Sequence, residues 1–263
     1  MTRRVTIKKF EVNSELIKRK IIKLFISNVK GRSPDTSGSN KAHDGKGGHW
    51  LERQMGIAHN SSNSPDLDGF EMKNSTRNKT TFGDWSPKYR LYQRDNELKV
   101  TRDMFLEIFG APNPEKNNRY SWSGRPAPRV GKYNHFGQKL VVDKNDDIFA
   151  MYSFDKDMRP NKSKIVPKIL QQNRLILARW DAPLMKERVE NKFNKLGWFK
   201  CEMKNGVYSK IVFGDPINFK TWIKGVREGL IFFDSGMYQG NPRPYSQWRA
   251  TNEYWDSLVT DTY

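Results

Sequence analysis

The sequence predicts an α/β protein organised around a mixed sheet flanked by helices. Two patterns point there: segments whose apolar residues recur at helical spacing, and shorter segments that alternate apolar and polar side chains with period two. There is also no internal repeat and no long heptad run, so solenoid and coiled-coil architectures are set aside.

Taken in order, residues 14–29 place Ile17, Ile21, Leu24 and Phe25 at i, i+4, i+7 and i+8, the stripe of an amphipathic helix, with Asn13 or Ser14 as N-cap. Residues 31–48 are rich in Gly, Ser, Pro, Asn and Asp and predict a mobile loop. A short helix follows over 49–57, with Trp50, Leu51, Met55 and Ile57 facing inward. After a polar loop at 59–65, the run Asp66-Leu67-Asp68-Gly69-Phe70-Glu71-Met72-Lys73 ends by alternating Phe70 and Met72 with Glu71 and Lys73, as a strand does. Residues 80–85 are expected to form its hairpin partner. Residues 110–135 hold too much Pro, Gly and Asn for regular structure, and their Arg and Lys content suggests a loop facing DNA.

Residues 138–143 and 147–155 form a hairpin signal around the turn Lys144-Asn145-Asp146, with Ile148, Ala150, Tyr152 and Phe154 on one face. A short helix over 166–172, a strand over 175–180 and another over 207–213 come next. Asn218 caps a helix that sets Phe219, Trp222, Ile223 and Val226 on one side and stops at Gly229. A buried strand at 230–233 leads into the polar loop 239–247 and the Trp248-Arg249 stretch.

With 263 residues the chain can build one large domain or two lobes with a substantial core. Cys201 is the single cysteine, which excludes an internal disulfide framework and a cysteine-rich zinc site. The start, Met-Thr-Arg-Arg-Val-Thr-Ile-Lys-Lys, has no apolar run behind its charges, and no stretch approaches the roughly 18 apolar residues of a membrane span. The expectation is a soluble, cytoplasmic protein. Lys and Arg total 47 against 29 Asp and Glu, a net charge of +18 spread along the whole chain. Such a field attracts polyanions, nucleic acid foremost, and the eight Trp argue for a packed core over a disordered basic tail.

Cutting a phosphodiester needs a divalent metal on carboxylates, a water made nucleophilic, and charge stabilisation at the phosphate. The residues around 66–73 offer such a set. On a strand Glu71 and Lys73 point to the same side, placing a ligating acid beside an ammonium; Asp66 can supply a second ligand and Glu52 can approach from the preceding helix. Asp68 competes with Asp66 for the metal, but its place beside Gly69 suits a turn. An isolated Glu-x-Lys is usually a solvated strand face, and it is the accompanying acids that set this one apart. His43, His49, His59 and His135 are not at metal-ligand spacing.

Pro65-Asp66 followed by Glu71-Met72-Lys73 resembles the PD-(D/E)xK nuclease motif. With Glu52 the spacing is 14, 5 and 2 residues, similar to the MvaI/BcnI restriction endonucleases and their relative, the mismatch-repair nickase MutH. Gly47-Gly48 before Glu52 and Thr80-Thr81-Phe82 after the strand add to the likeness, as does Asp234-Ser235-Gly236-Met237-Tyr238 farther on. It covers roughly residues 45–85 and 165–252 and leaves about 86–135 unmatched. The resemblance implies a restriction-endonuclease-like core in two lobes forming a DNA-binding cleft, with a catalytic lobe over 1–135 and a recognition lobe over 136–263. It implies a magnesium-dependent, sequence-specific type II enzyme acting on double-stranded DNA as a monomer, one strand at a time, with a cognate DNA methyltransferase as its counterpart. Glu52, Asp66 and Glu71 would line the metal site and Lys73 would contact water and the scissile phosphate.

In that family a carboxy-terminal loop enters the groove and reads bases. The corresponding segment holds Arg243, Tyr245, Gln247 and Arg249, and lacks the family's histidines. Arg suits the O6/N7 edge of guanine and Gln suits adenine, although phosphate is the commoner fate of an interfacial Arg. Two other readings stand beside this one: a nickase of the MutH kind, and a basic DNA-binding protein without chemistry.

Overall fold

The structure, a computed structural model, describes residues 2–35, 37, 46–57, 63–93, 95 and 97–263. Half of the loop expected at 31–48, with His43, and the first part of the 59–65 loop, with His59, lie outside the described residues. In chain order the elements are α1 (Thr2–Asn28), α2 (Lys46–Gln54), β1 (Phe70–Asn74), β2 (Lys79–Asp84), β3 (Tyr89–Arg90), α3 (Arg102–Phe109), β4 (Ala111–Asn113), β5 (Arg119–Ser121), β6 (Phe136–Val142) and β7 (Ile148–Asp157). There follow α4 (Lys162–Ile165), β8 (Leu175–Trp180), α5 (Ala182–Phe193), β9 (Gly197–Lys204), β10 (Val207–Gly214), α6 (Phe219–Arg227), β11 (Ile231–Asp234), β12 (Gln247–Thr251), α7 (Asn252–Ser257) and β13 (Val259–Thr262). Among the described residues no helix is long and apolar enough to cross a membrane.

The chain divides into two compact units, neither of them a continuous half. The first comprises 1–80, 189–218 and 252–263; the second, 81–188 and 219–251. The boundary expected near residue 135 thus falls inside the second unit.

The first unit is a four-stranded sheet in the order β1-β9-β10-β13, with β1 parallel to β9 and the other pairs antiparallel. Phe70 and Met72 of β1 and Phe199 and Cys201 of β9 join one hydrophobic cluster with Ile21, Phe25 and Val29 from the α1 end and Trp50, Leu51 and Met55 from the α2 end. The predicted helical stripe is therefore the one used. The helix itself starts at Thr2 and runs through Asn13 and Ser14, so neither caps it; no Gly or Pro in 2–12 interrupts it.

The expected β1–β2 hairpin is not formed. β1 pairs with β9, and β2 lies in another sheet, of order β11-β12-β2. Period two identifies a strand without naming its partner. Four successive residues of β1, Phe70 through Lys73, are buried, and burial on both faces is the condition of a parallel strand.

The second unit contains the β11-β12-β2 sheet, a four-stranded sheet β3-β8-β7-β6 and the β4-β5 ribbon. Its core is aromatic: the Trp180 ring lies 4.9 Å from Phe233 and 5.3 Å from Trp248, and Trp222 lies 5.2 Å from Trp248. Phe219, Trp222, Ile223 and Val226 of α6 are buried as predicted, and Gly229 ends the helix at φ +75°. The β6–β7 hairpin also forms as expected: Asp143 Oδ1 accepts from the Asn145 and Asp147 N–H groups, and Asp146 takes φ +66°.

Two expectations fail here for local reasons. The helix foreseen over 166–172 shrinks to a 3-10 turn, Lys168–Leu170, because Pro167 lacks an N–H and forces Val166 into extended backbone. Residues 110–135 are not wholly irregular: Asn117 and Asn118 accept positive φ and close the β4–β5 ribbon.

Candidate active site and base-reading surface

In the first unit the chain reaches β1 through a two-residue turn. Leu67 and Phe70 exchange backbone hydrogen bonds, and Asp68 and Gly69 between them both take positive φ, the geometry an Asp-Gly turn favours. Asp68 is thus a turn residue, and its carboxylate pairs with Lys20 at 2.6 Å. The same turn folds Asp66 back along the strand, where its Oδ2 accepts the Met72 N–H at 2.9 Å.

Glu71 and Lys73 project together from the face opposite Phe70 and Met72, and Lys73 Nζ donates to Glu71 Oε1 at 2.8 Å. Phe193 and Trp255 wall this face, their ring centres 5.0 and 5.9 Å from the Lys73 ammonium. A residue the sequence did not single out completes the group: Lys192, near the end of α5, sets its Nζ 3.0 Å from the same Glu71 Oε1. Burial raises the Glu71 carboxyl pKa against the pull of both lysines, with the Asp66 charge adding to the rise. Burial likewise pushes the Lys73 ammonium down, against Glu71.

Asp66, Glu71 and Lys73 therefore come together as predicted. Glu52 lies on α2, where His49 Nδ1 is 3.2 Å from its Oε2. Among the described residues no group of three or more His, Cys, Asp and Glu side chains is placed to hold a metal ion. A pair of acids remains. Glu71 Oε2 is buried without a hydrogen-bond partner, a desolvated anionic oxygen of the kind a hard cation satisfies, and Mg²⁺ needs only one or two carboxylates when water completes its shell. Asp66 and Glu71 fit that demand.

In the second unit the predicted reading residues fall into two pairs. Arg243 Nη2 lies 2.8 Å from Asp84 Oδ2 and its guanidinium carbon 4.5 Å from the centre of the Tyr245 ring. Asp84 also accepts the Ser246 N–H at 2.7 Å, which ties the loop to β2. On β12, Arg249 donates to Gln247 Oε1, and its Nε lies 3.8 Å from the buried Asp234 of β11.

This fold is that of a restriction endonuclease: MvaI in its complex with cognate DNA substrate matches at a TM-score of 0.59 and 12% identity, over 95% of this chain and 97% of that one. Residues 29–263 fit the LlaMI restriction endonuclease family model. The type II restriction enzyme ScrFI of Lactococcus lactis subsp. cremoris is 48% identical over 266 residues, spanning 94% of this chain and 98% of that one. The chain belongs to the LlaMI restriction endonuclease family.

Proposed function

We propose that this enzyme cuts double-stranded DNA at a short specific site, with Asp66 and Glu71 holding Mg²⁺ and Lys73 acting at the reacting phosphate. One observation carries the reading: a buried carboxylate, Glu71, bound through one oxygen by two ammoniums while the other oxygen has no hydrogen-bond partner. The metal would supply Lewis-acid charge stabilisation and a water acidic enough to attack near neutral pH. Asp66 and Glu71 orient it. Lys73, packed against Phe193 and Trp255, holds a positive charge in a dry site where it counts for more than in water. Glu52, paired with His49, takes a supporting place.

The first unit is assigned the cutting and the second the reading, through Arg243, Tyr245, Gln247 and Arg249. A single set of acids per chain supports a monomer that cuts the strands in turn. The family supports a DNA methyltransferase that protects the same site without touching the nuclease, and a substrate of unprotected DNA met inside the cell supports a cytoplasmic location.

Incubation with supercoiled plasmid and Mg²⁺ tests this. The reading expects discrete linear fragments with nicked circles as a passing intermediate. Nicking that never goes further would favour a MutH-like nickase, and no cleavage in any divalent metal would leave only a binding protein. Lys73→Ala should abolish cutting while Ca²⁺-supported binding to the same DNA persists. Glu52→Ala should slow cutting far less than Glu71→Ala.

A further inference from the structure

The face of the β11–β12 pair that carries Gln247 and Arg249 holds a further arginine. Phe232 stands opposite Arg249, and Asp234 opposite Gln247; cross-strand partners share a face. The alternate residues, Ile231, Phe233, Trp248 and Ala250, point into the core and are fully buried. Onto the outer face the segment around 129 brings Arg129, whose guanidinium carbon lies 4.0 Å from the centre of the Phe232 ring. Its main chain is fixed by the Leu140 N–H, which donates to the Arg129 carbonyl at 2.9 Å. Burial lowers its pKa, and the charge of Asp234 opposes that.

Arg129, over Phe232, and Arg249, beside Asp234, thus reach this face from two different segments. Here Arg129 keeps Nη1, and Arg249 keeps Nε, buried without a hydrogen-bond partner. A guanidinium stacked on an aromatic ring is a planar fork ordered in advance, and little entropy is lost when it meets a matching acceptor edge.

We propose that Arg129 is a base-reading residue that donates to the O6/N7 edge of a guanine in the recognised site, with Phe232 and Asp234 as positioning residues. The inference rests on the reading that β12 contacts bases and adds a specificity determinant from the stretch of sequence that matched no motif. Phosphate could also take up Arg129's donors, but a phosphate contact needs only charge, and lysine would then serve equally well.

The test begins by mapping the site from wild-type cleavage products. A duplex carrying it, every single base-pair substitution of it, and an unrelated duplex are then titrated by fluorescence anisotropy in Ca²⁺ against wild type, Arg129→Lys, Arg129→Ala and Arg249→Ala. Both Arg129 variants should lose discrimination at one G·C pair by about ten- to a hundredfold, while preferences elsewhere and affinity for the unrelated duplex hold. Unchanged discrimination at every position, an equal loss on all duplexes, or wild-type ratios in Arg129→Lys would each overturn the proposal. If Arg129→Ala fails to fold, Arg129→Lys, which keeps a charge beside Asp234, carries the test alone. Arg249→Ala separates the two ideas. If it keeps every wild-type preference, the β12 reading fails; if it loses one while Arg129→Lys loses none, only the role of Arg129 falls.

Discussion

Asp157 and Glu71 are both buried carboxylates, and their surroundings set them to opposite ends. Burial alone would raise Asp157. The hydrogen bonds from Arg159, at 2.6 Å to Nη2 and 3.0 Å to Nε, and from the Tyr152 hydroxyl at 2.9 Å outweigh it and hold the carboxyl below its ordinary range. A depressed carboxyl stabilises the fold at neutral pH, and that contribution is lost as pH falls below about 4 and through the folded-state value. Asp157→Asn strands the Arg159 charge, and the variant should unfold with about 3–5 kcal/mol less stability in a urea titration at pH 7. Its stability should also fall less steeply with acid than that of wild type. A wild-type slope in the variant would show that the Arg159 pair does not couple to folding. Glu71 has two ammoniums on one oxygen and no hydrogen-bond partner on the other, and its carboxyl is raised instead. A fold that only wanted stability would satisfy both oxygens, as it does for Asp157.

Among the elements, β9 starts from a tight place. Gly197 takes φ +108°, and a Cβ there would come within 2.3 Å of the Gly214 carbonyl oxygen on β10. Gly197→Ala is expected to cost about 3 kcal/mol or more, read as a lower urea midpoint, and to reduce cleavage with it, because Gly197 pairs in register with Phe70 and the next pair is Glu71 with Trp198. A variant as stable as wild type would show that the β-hairpin relaxes freely. In unit two, Trp248→Ala should cost about 3–5 kcal/mol, since its ring is fully buried among Trp180, Trp222 and Phe233. The elements readable in the sequence were those with a clean period. β8 falls on the residues expected, and α6 and the β6–β7 hairpin lie within a few residues of theirs. β9 passed unseen because five successive residues, Gly197 through Cys201, are buried, with Lys200 among them and paired to Asp256 at 2.6 Å; no alternation survives. α5 passed unseen as well, and Lys192 with it. Asp66, Glu71 and Lys73 are neighbours in sequence and could be grouped by spacing, whereas Lys192 meets Glu71 only through packing of the first unit. Arg129 has no motif around it; only the Phe232 ring beneath it marks it out.

At the scale of the whole molecule, a net charge of +18 makes binding to DNA a matter of ion release as much as of contact. The logarithm of affinity for an unrelated duplex should fall linearly with the logarithm of KCl concentration, by about 0.9 for each phosphate neutralised. A flat profile in an anisotropy titration would mean that the positive charge is not turned toward the nucleic acid. The segment swaps at 80/81, 188/189, 218/219 and 251/252 have their own consequence. β10 pairs with β13, and the Trp255 ring lies beside the Lys73 ammonium, so residues 252–263 supply the first unit with both a strand and a wall of the face that carries Glu71 and Lys73. The order of the Lys73 site therefore hangs on long-range contacts between segments far apart in the chain, and a perturbation at any of those joins is felt at the Glu71–Lys73 pair.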